Sequence, residues 1–106
     1  MKGLSEREKG FEAEFKHRQE LAFRIVARRN RLFGLWAADR LGLASDPADA
    51  YAKSVVAADF ERPGDGDVID KVRGNLAEKG IHLTEAELRA ELDRAGAEAR
   101  RQLAAS

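Results

Sequence analysis

Residues 21–43, LAFRIVARRNRLFGLWAADRLGL, decide the fold of this chain. Large apolar residues recur in this stretch at helical spacing, and no proline interrupts them. A helix with such a stripe can bury one face, so the stretch predicts a long helix that contributes to a helical core. Gly34 lies inside the stripe and costs a helix about 1 kcal/mol relative to alanine, which predicts close approach of a second helix there. The stripe consists of Leu21, Ile25, Leu32, Leu35 and Trp36, flanked by Phe23, Val26, Phe33 and Leu41.

The helical pattern extends upstream of the stripe, but with few apolar residues. Ser5 and Glu8 have the spacing of a capping box and no proline precedes Pro47, so we expect helix from Ser5 to about Leu43. A helix with so few apolar residues gains little by packing on a core, so residues 1–20 predict an arm that frays or docks on another surface. A continuous helix and a break near residues 18–20 both agree with the sequence. The large apolar residues after Met1 and before the stripe are Leu4, Phe11 and Phe15.

Three shorter helices are predicted after the long one. The second has Asp46 as its N-cap and continues to residue 60 or 61. Residues 62–67, RPGDGD, form the strongest break, after which a third helix ends near Gly80. The fourth helix opens with a capping box at Thr84. No internal repeat is expected.

The apolar positions of these helices predict an all-α protein, a four-helix bundle with a helical N-terminal extension. Residues 1–20 form the arm and residues 21–106 the bundle domain, which closes around Trp36, Tyr51, Val72 and Leu92. The predicted buried residues of the three shorter helices are Tyr51, Val55, Ala58, Val68, Ile69, Val72, Leu76, Leu88, Leu92, Ala95, Ala99 and Leu103.

Charge and composition restrict the classes of function. The 106 residues are 43% hydrophobic and 36% charged, with no cysteine and a net charge of zero. The charge is uneven, because the first 31 residues hold nine Lys or Arg and five Asp or Glu. This asymmetry favours an acidic partner for the arm or contact of the arm with its own body. Neutrality argues against nucleic acid as the partner, and the absence of a long apolar run argues against membrane insertion.

No motif for catalysis or metal binding is evident. His17 and His82 lack a second histidine or a cysteine at metal-ligand spacing, and the acidic residues near Gly64 do not match a calcium loop. No nucleophile motif and no phosphate-binding loop with a following lysine is present. We therefore expect no catalytic residues, no metal site and no enzyme activity.

Arginines form the densest charged feature of the chain. Arg24, Arg28 and Arg31 share one helical face, and Arg29 lies beside them. Guanidinium groups in such a row bind phosphates, acidic helices or carboxylates, whereas the ordinary alternative is a solvated helix face. A weak site for ATP or ADP at Arg24, Arg28 and Arg31 is one hypothesis.

Two stretches resemble a known family. Residues 27–38, ARRNRLFGLWAA, and residues 49–64, DAYAKSVVAADFERPG, are similar to the zeta subunit of alphaproteobacterial F-type ATP synthase, the ATPase inhibitor family. Arg7-Glu8 and Glu12-Ala13-x-Phe15 extend the resemblance upstream, so that it covers almost the whole chain. The last helix matches mainly in pattern. Leu4-Ser5-Glu6 stands where the family usually has Phe-Asp-Asp, and Lys16 where a small residue is commoner.

The resemblance implies an inhibitor of ATP hydrolysis whose N-terminal helix inserts between the alpha and beta subunits of the catalytic head, near gamma. It implies a cytoplasmic protein that is peripheral at the inner membrane through ATP synthase. The inhibitory contacts that it implies are Leu4, Arg7, Glu8, Phe11, Glu12 and Phe15, with support from Arg28, Arg29 and Asn30. Two alternatives remain, a small nucleotide-binding regulatory domain and a generic helical adaptor or nucleic-acid binder.

Overall fold

In a computed structural model, the chain forms four α-helices joined by short connections. The structure describes the backbone of residues 2–59 and 64–105 and the side chains of residues 12–59 and 64–105. The helices are α1 (Lys2–Arg40), α2 (Ser45–Ala58), α3 (Gly66–Glu78) and α4 (Glu85–Ala105). The predicted all-α bundle with a helical extension is confirmed. None of the described helices combines the length and apolarity needed to cross a bilayer.

The two glycine-terminated helices end as the sequence predicts. Gly42 and Gly80 both have φ +78°, the left-handed conformation that glycine adopts without strain. After α1 the N–H of Leu43 donates to the carbonyl of Ala38 at 2.9 Å, and after α3 the N–H of Ile81 donates to that of Leu76 at 2.9 Å. These six-to-one hydrogen bonds define Schellman motifs, which satisfy carbonyls at the helix ends.

The predicted N-caps were right for α4 and wrong for α1 and α2. The hydroxyl of Thr84 accepts a hydrogen bond from the N–H of Glu87 at 3.1 Å, as a capping box requires. In contrast, α1 begins at Lys2, so Ser5 lies inside the helix rather than at its N-cap. The N-cap of α2 is Ala44, and Asp46 lies in the first turn, where its carboxylate complements the helix dipole. The end of α2 at Ala58 precedes the predicted end.

The core centres on Phe33 rather than on Trp36 and Tyr51. Phe33 is completely buried, and the partly buried Trp36 stacks on it with nearly parallel rings, whose centroids are 5.7 Å apart. Tyr51 is only partly buried, and its hydroxyl donates to Oδ1 of Asn75 at 2.9 Å. The prediction that Leu21 and Phe23 belong to the packed stripe was wrong, since they are 40% and 70% exposed. The buried core residues are Phe33, Ala37, Val55, Val68, Ile69, Val72, Leu76, Leu88, Leu92 and Ala95.

Close approach at Gly34 brings α1 and α2 together, as the sequence predicts. A Cβ atom on Gly34 would lie 2.8 Å from Cα of Ala52 and 3.2 Å from Cβ of Val55. Such distances leave no room for a side chain, so the glycine fixes the spacing of the two helices. α4 packs on another side of α1, and α3 closes the bundle.

Candidate functional site

The N-terminal half of α1 projects beyond the bundle. With a rise of 1.5 Å per residue, the 39 residues of α1 span about 58 Å, whereas the 14 residues of α2 span about 21 Å and the 21 of α4 about 32 Å. Because its neighbours are shorter, none of the described helices lies beside residues 12–24 of α1. Every described side chain from Glu12 to Arg24 is exposed, and burial begins at Ile25. No break occurs near residues 18–20, so the arm continues the helix of the body.

The exposed arm carries the predicted inhibitory residues Glu12 and Phe15. Phe15 is 56% exposed, which is unusual for so large an apolar side chain. All the exposed large hydrophobic side chains of the described residues lie between positions 15 and 23: Phe15, Leu21 and Phe23. The side chains of Leu4, Arg7, Glu8 and Phe11 lie outside the described residues. An α-helix turns by about 100° per residue, so Leu21 and Phe23 lie on nearly opposite sides of α1 and the three side chains do not form one patch. Of the three, Phe15 lies within the arm of residues 1–20 and is the candidate for contact with another protein.

Arg29 and Asn30 lie inside the fold at the root of the arm. Nη2 of Arg29 donates to Oδ1 of Asp65 at 2.8 Å, and Nε of the same arginine donates to Oδ1 of Asn30 at 3.1 Å. The Arg29 side chain is 17% exposed and Asn30 is 1% exposed. These contacts tie α1 to the start of α3. Any support that the two residues give to partner binding would therefore be indirect, because they would position the arm rather than contact the partner.

The predicted arginines Arg24, Arg28 and Arg31 line one open pocket. Its volume is about 550 Å³, and Lys53 from α2 adds a fourth cation. Nη1 of Arg28 donates to Oε1 of Gln102 at 2.7 Å, and Arg31 forms a weak ion pair with Asp49 at 3.4 Å. A pocket with four cations at its wall has the chemistry to bind an anionic ligand.

An apolar groove adjoins this basic pocket. It has a volume of about 310 Å³ and lies where α2 ends beside α1. Ala27 and Val56 line both the groove and the basic pocket. The remaining lining residues of the groove are Ala22, Phe23, Val26, Asn30 and Asp59.

Sequence reasoning missed the contributions of Lys53, Asp49, Asp65 and Gln102. The last three contact arginines that lie 18, 36 and 74 residues away in the chain. Helical periodicity reports which residues share a face of one helix, but it does not report which helices face each other. No feature of the sequence alone would have paired these residues.

The remaining candidate side chains are the two histidines and the acidic residues. His17 and His82 are exposed. Among the described residues, no three His, Cys, Asp or Glu side chains converge as a metal site would require. The pKa of Tyr51 is raised to about 12, first by burial and then by the charge of Glu78.

Comparisons with known proteins show the family that the chain is similar to and a solved structure that it resembles. A family model described as ATPase inhibitor subunit zeta matches residues 1–102. The chain is also 49% identical to a protein with a solution NMR structure, over 76% of this chain and 92% of that one. The two structures superpose with a TM-score of 0.68. No curated protein matches the chain.

Proposed function

The chain belongs to the ATPase inhibitor subunit zeta family, and from this premise we propose that its arm blocks ATP hydrolysis by inserting into the catalytic head. The family description implies a regulatory subunit of ATP synthase. The finer mechanism is our proposal: residues 1–20 dock between alpha and beta subunits near gamma. The observation that carries it is the exposed face of Phe15 on a helix that extends past its own bundle.

Docking of the arm would stabilise one conformation of the catalytic head. Full burial of Phe15 and of Phe11 would contribute roughly 1.5–3 kcal/mol each, if their side chains become inaccessible to water. A rotary step that reopens the interface would lose this burial, so the inhibited conformation would persist. Inhibition of this kind requires no bond chemistry from the chain and depends on differential affinity for two conformations. Ordering of the arm on binding would reduce the net affinity.

The predicted contacts divide into two groups on the structure. Glu12 and Phe15 are exposed and available for direct contact, and we propose the same role for Leu4, Arg7, Glu8 and Phe11. Arg28 lies on the surface at the edge of the basic pocket. Arg29 and Asn30 would support docking by holding the root of the arm on the bundle.

ATP hydrolysis by a purified catalytic head, with and without this protein, tests the proposal. The wild type should inhibit, and Phe11→Ala combined with Phe15→Ala should abolish inhibition. Because Phe15 is exposed, the double variant should keep the unfolding free energy of the bundle within about 0.5 kcal/mol of wild type. Phe23→Ala, a matched change on the same helix outside the arm, should still inhibit. Unaltered inhibition by the double variant would remove the arm from the mechanism.

The basic pocket favours a second candidate function, weak binding of ATP or ADP. Arg24, Arg28, Arg31 and Lys53 surround a space large enough for an anionic ligand. Titration of either nucleotide should then shift the amide resonances of these residues, and Arg24→Ala with Arg31→Ala should reduce the shifts. No response at millimolar nucleotide would reject this function.

A further inference from the structure

An 11-residue repeat runs along α1 and through the three residues that follow it, contrary to the expectation from sequence that no repeat is present. Residues 11–21, 22–32 and 33–43 align as FEAEFKHRQEL, AFRIVARRNRL and FGLWAADRLGL. The eighth position is arginine in all three units and the eleventh is leucine. Eleven residues make about three helical turns, so equivalent positions that lie within α1, up to Arg40, share nearly the same face. The repeated arginines are Arg18, Arg29 and Arg40.

Burial rises along the repeat at its fifth position, whereas at the eighth position Arg29 is the least exposed arginine and Arg40 is again exposed, over the ring of Trp36. At the fifth position Phe15 is 56% exposed, Val26 is partly buried and Ala37 is completely buried. The eleventh position changes in the same way from Leu21, which is 40% exposed, to the partly buried Leu32. The second and third units pack on the bundle, while the first unit extends beyond it. The first unit therefore presents a face of the kind that the second unit buries against α4.

The second unit shows how its arginine is accommodated. A Cβ atom on Gly96 of α4 would lie 3.4 Å from Cδ of Arg29, so the arginine stem lies against a position without a side chain. The guanidinium reaches Asp65, 2.8 Å away at the start of α3. A small residue beneath the stem and a carboxylate at its tip thus hold Arg29.

Arg18, the equivalent residue of the first unit, lacks that environment in the free protein. The Arg18 side chain is 74% exposed, and its Nη2 lies 3.6 Å from Oε2 of Glu14, whose side chain is 68% exposed. An exposed pair of this kind within one helix contributes little to stability. The guanidinium of Arg18 is consequently available to a stronger partner at small cost.

We propose that an α-helix of the arm's partner packs on the first repeat unit as α4 packs on the second, with Arg18 binding a carboxylate of that partner. The occupant is a helix with a small residue opposite the Arg18 stem and an apolar face over Phe15 and Leu21. The assignment follows from the equivalence of the repeat units and from the charge of Arg18. It rests on the proposed inhibitory function and adds to that function a binding residue and the chemistry of its partner.

Binding to a purified catalytic head of F-type ATP synthase tests this inference. Arg18→Glu should weaken binding by at least about tenfold, since charge-assisted hydrogen bonds contribute roughly 1.5–3 kcal/mol, and one factor of ten corresponds to about 1.4 kcal/mol. Arg18→Lys, which keeps the charge and an aliphatic stem, should retain most of the affinity. Arg24→Glu makes the same charge change on another side of the helix and should have a much smaller effect.

The outcomes separate this inference from the function on which it rests. Equal weakening by Arg18→Glu and Arg24→Glu would mean that charge acts only at long range, and would overturn the specific contact. Unchanged binding by Arg18→Glu would overturn it as well. Failure of the wild-type protein to bind the head would refute the proposed function itself. Self-association of the wild type that Arg18→Glu abolishes would identify a second copy as the occupant, against the inference.

Discussion

Replacement of Gly34 by alanine should destabilise the bundle, although alanine favours helices. The change adds one methyl group at the closest approach of α1 and α2. That methyl carbon would lie 2.8 Å from Cα of Ala52, a backbone atom that moves only if α2 moves. Relief of the overlap therefore requires separation of the two helices.

The structure allows the net effect of Gly34→Ala to be estimated. Higher helix propensity would stabilise the variant by about 1 kcal/mol. Overpacking in a well-packed contact costs about 1–3 kcal/mol, and the backbone position of the obstruction places this case at the upper end. We expect a net loss of about 1–2 kcal/mol. For a cooperative unit of this size each kcal/mol lowers the unfolding temperature by about 4–8 °C.

Urea and thermal unfolding, followed by circular dichroism, measure this effect against a matched control. Gly74 lies within α3, and a Cβ atom there would have no heavy atom of another part of the structure within 4 Å. Gly74→Ala should therefore stabilise the protein by about 0.5–1 kcal/mol. If Gly34→Ala stabilises the protein as much as Gly74→Ala does, the close approach of α1 and α2 is wrong.

Three further changes test other parts of the structure. Burial and the charge of Glu78 raise the pKa of Tyr51 to about 12. The contribution of this shift to the stability of the fold is therefore present below pH 10 and is lost as the pH rises toward 12. Phenolate absorbance should appear at higher pH in the folded protein than in the urea-unfolded protein. Thr84→Ala should lower the unfolding free energy by about 1 kcal/mol through loss of the α4 cap, as measured by urea unfolding. Arg29→Ala should cost about 1–2 kcal/mol through its ion pair with Asp65 and its packed stem, whereas Arg18→Ala should leave stability nearly unchanged.

Local sequence patterns predicted most of the fold. The apolar face of α3, formed by Val68, Ile69, Val72 and Leu76, is buried as its spacing indicates. Gly42 and Gly80 end their helices because each adopts a conformation that other residues rarely adopt. Both features depend on neighbours within one or two turns, which the sequence displays directly.

The sequence could not predict which part of the long apolar stripe would pack against another helix of the bundle. Phe23 and Phe33 are both aromatic residues of one helix, yet Phe23 is 70% exposed and Phe33 is completely buried. The difference arises from the lengths of α2 and α4, which determine where packing on α1 stops. The candidate site was predicted in the same partial way: the arginines of the basic pocket were found, while Lys53 enters only through the packing of α2 on α1.

Amide hydrogen exchange of residues 12–20, in the free protein and in its complex with the catalytic head, most directly tests whether the arm gains its burial from a partner. In the free protein these amides should exchange much faster than those of residues 30–40, because the arm has no helix packed beside it. In the complex their exchange should slow by at least about tenfold, the factor that corresponds to 1.4 kcal/mol of added protection. Equal exchange of residues 12–20 in the free and bound states would contradict docking of the arm.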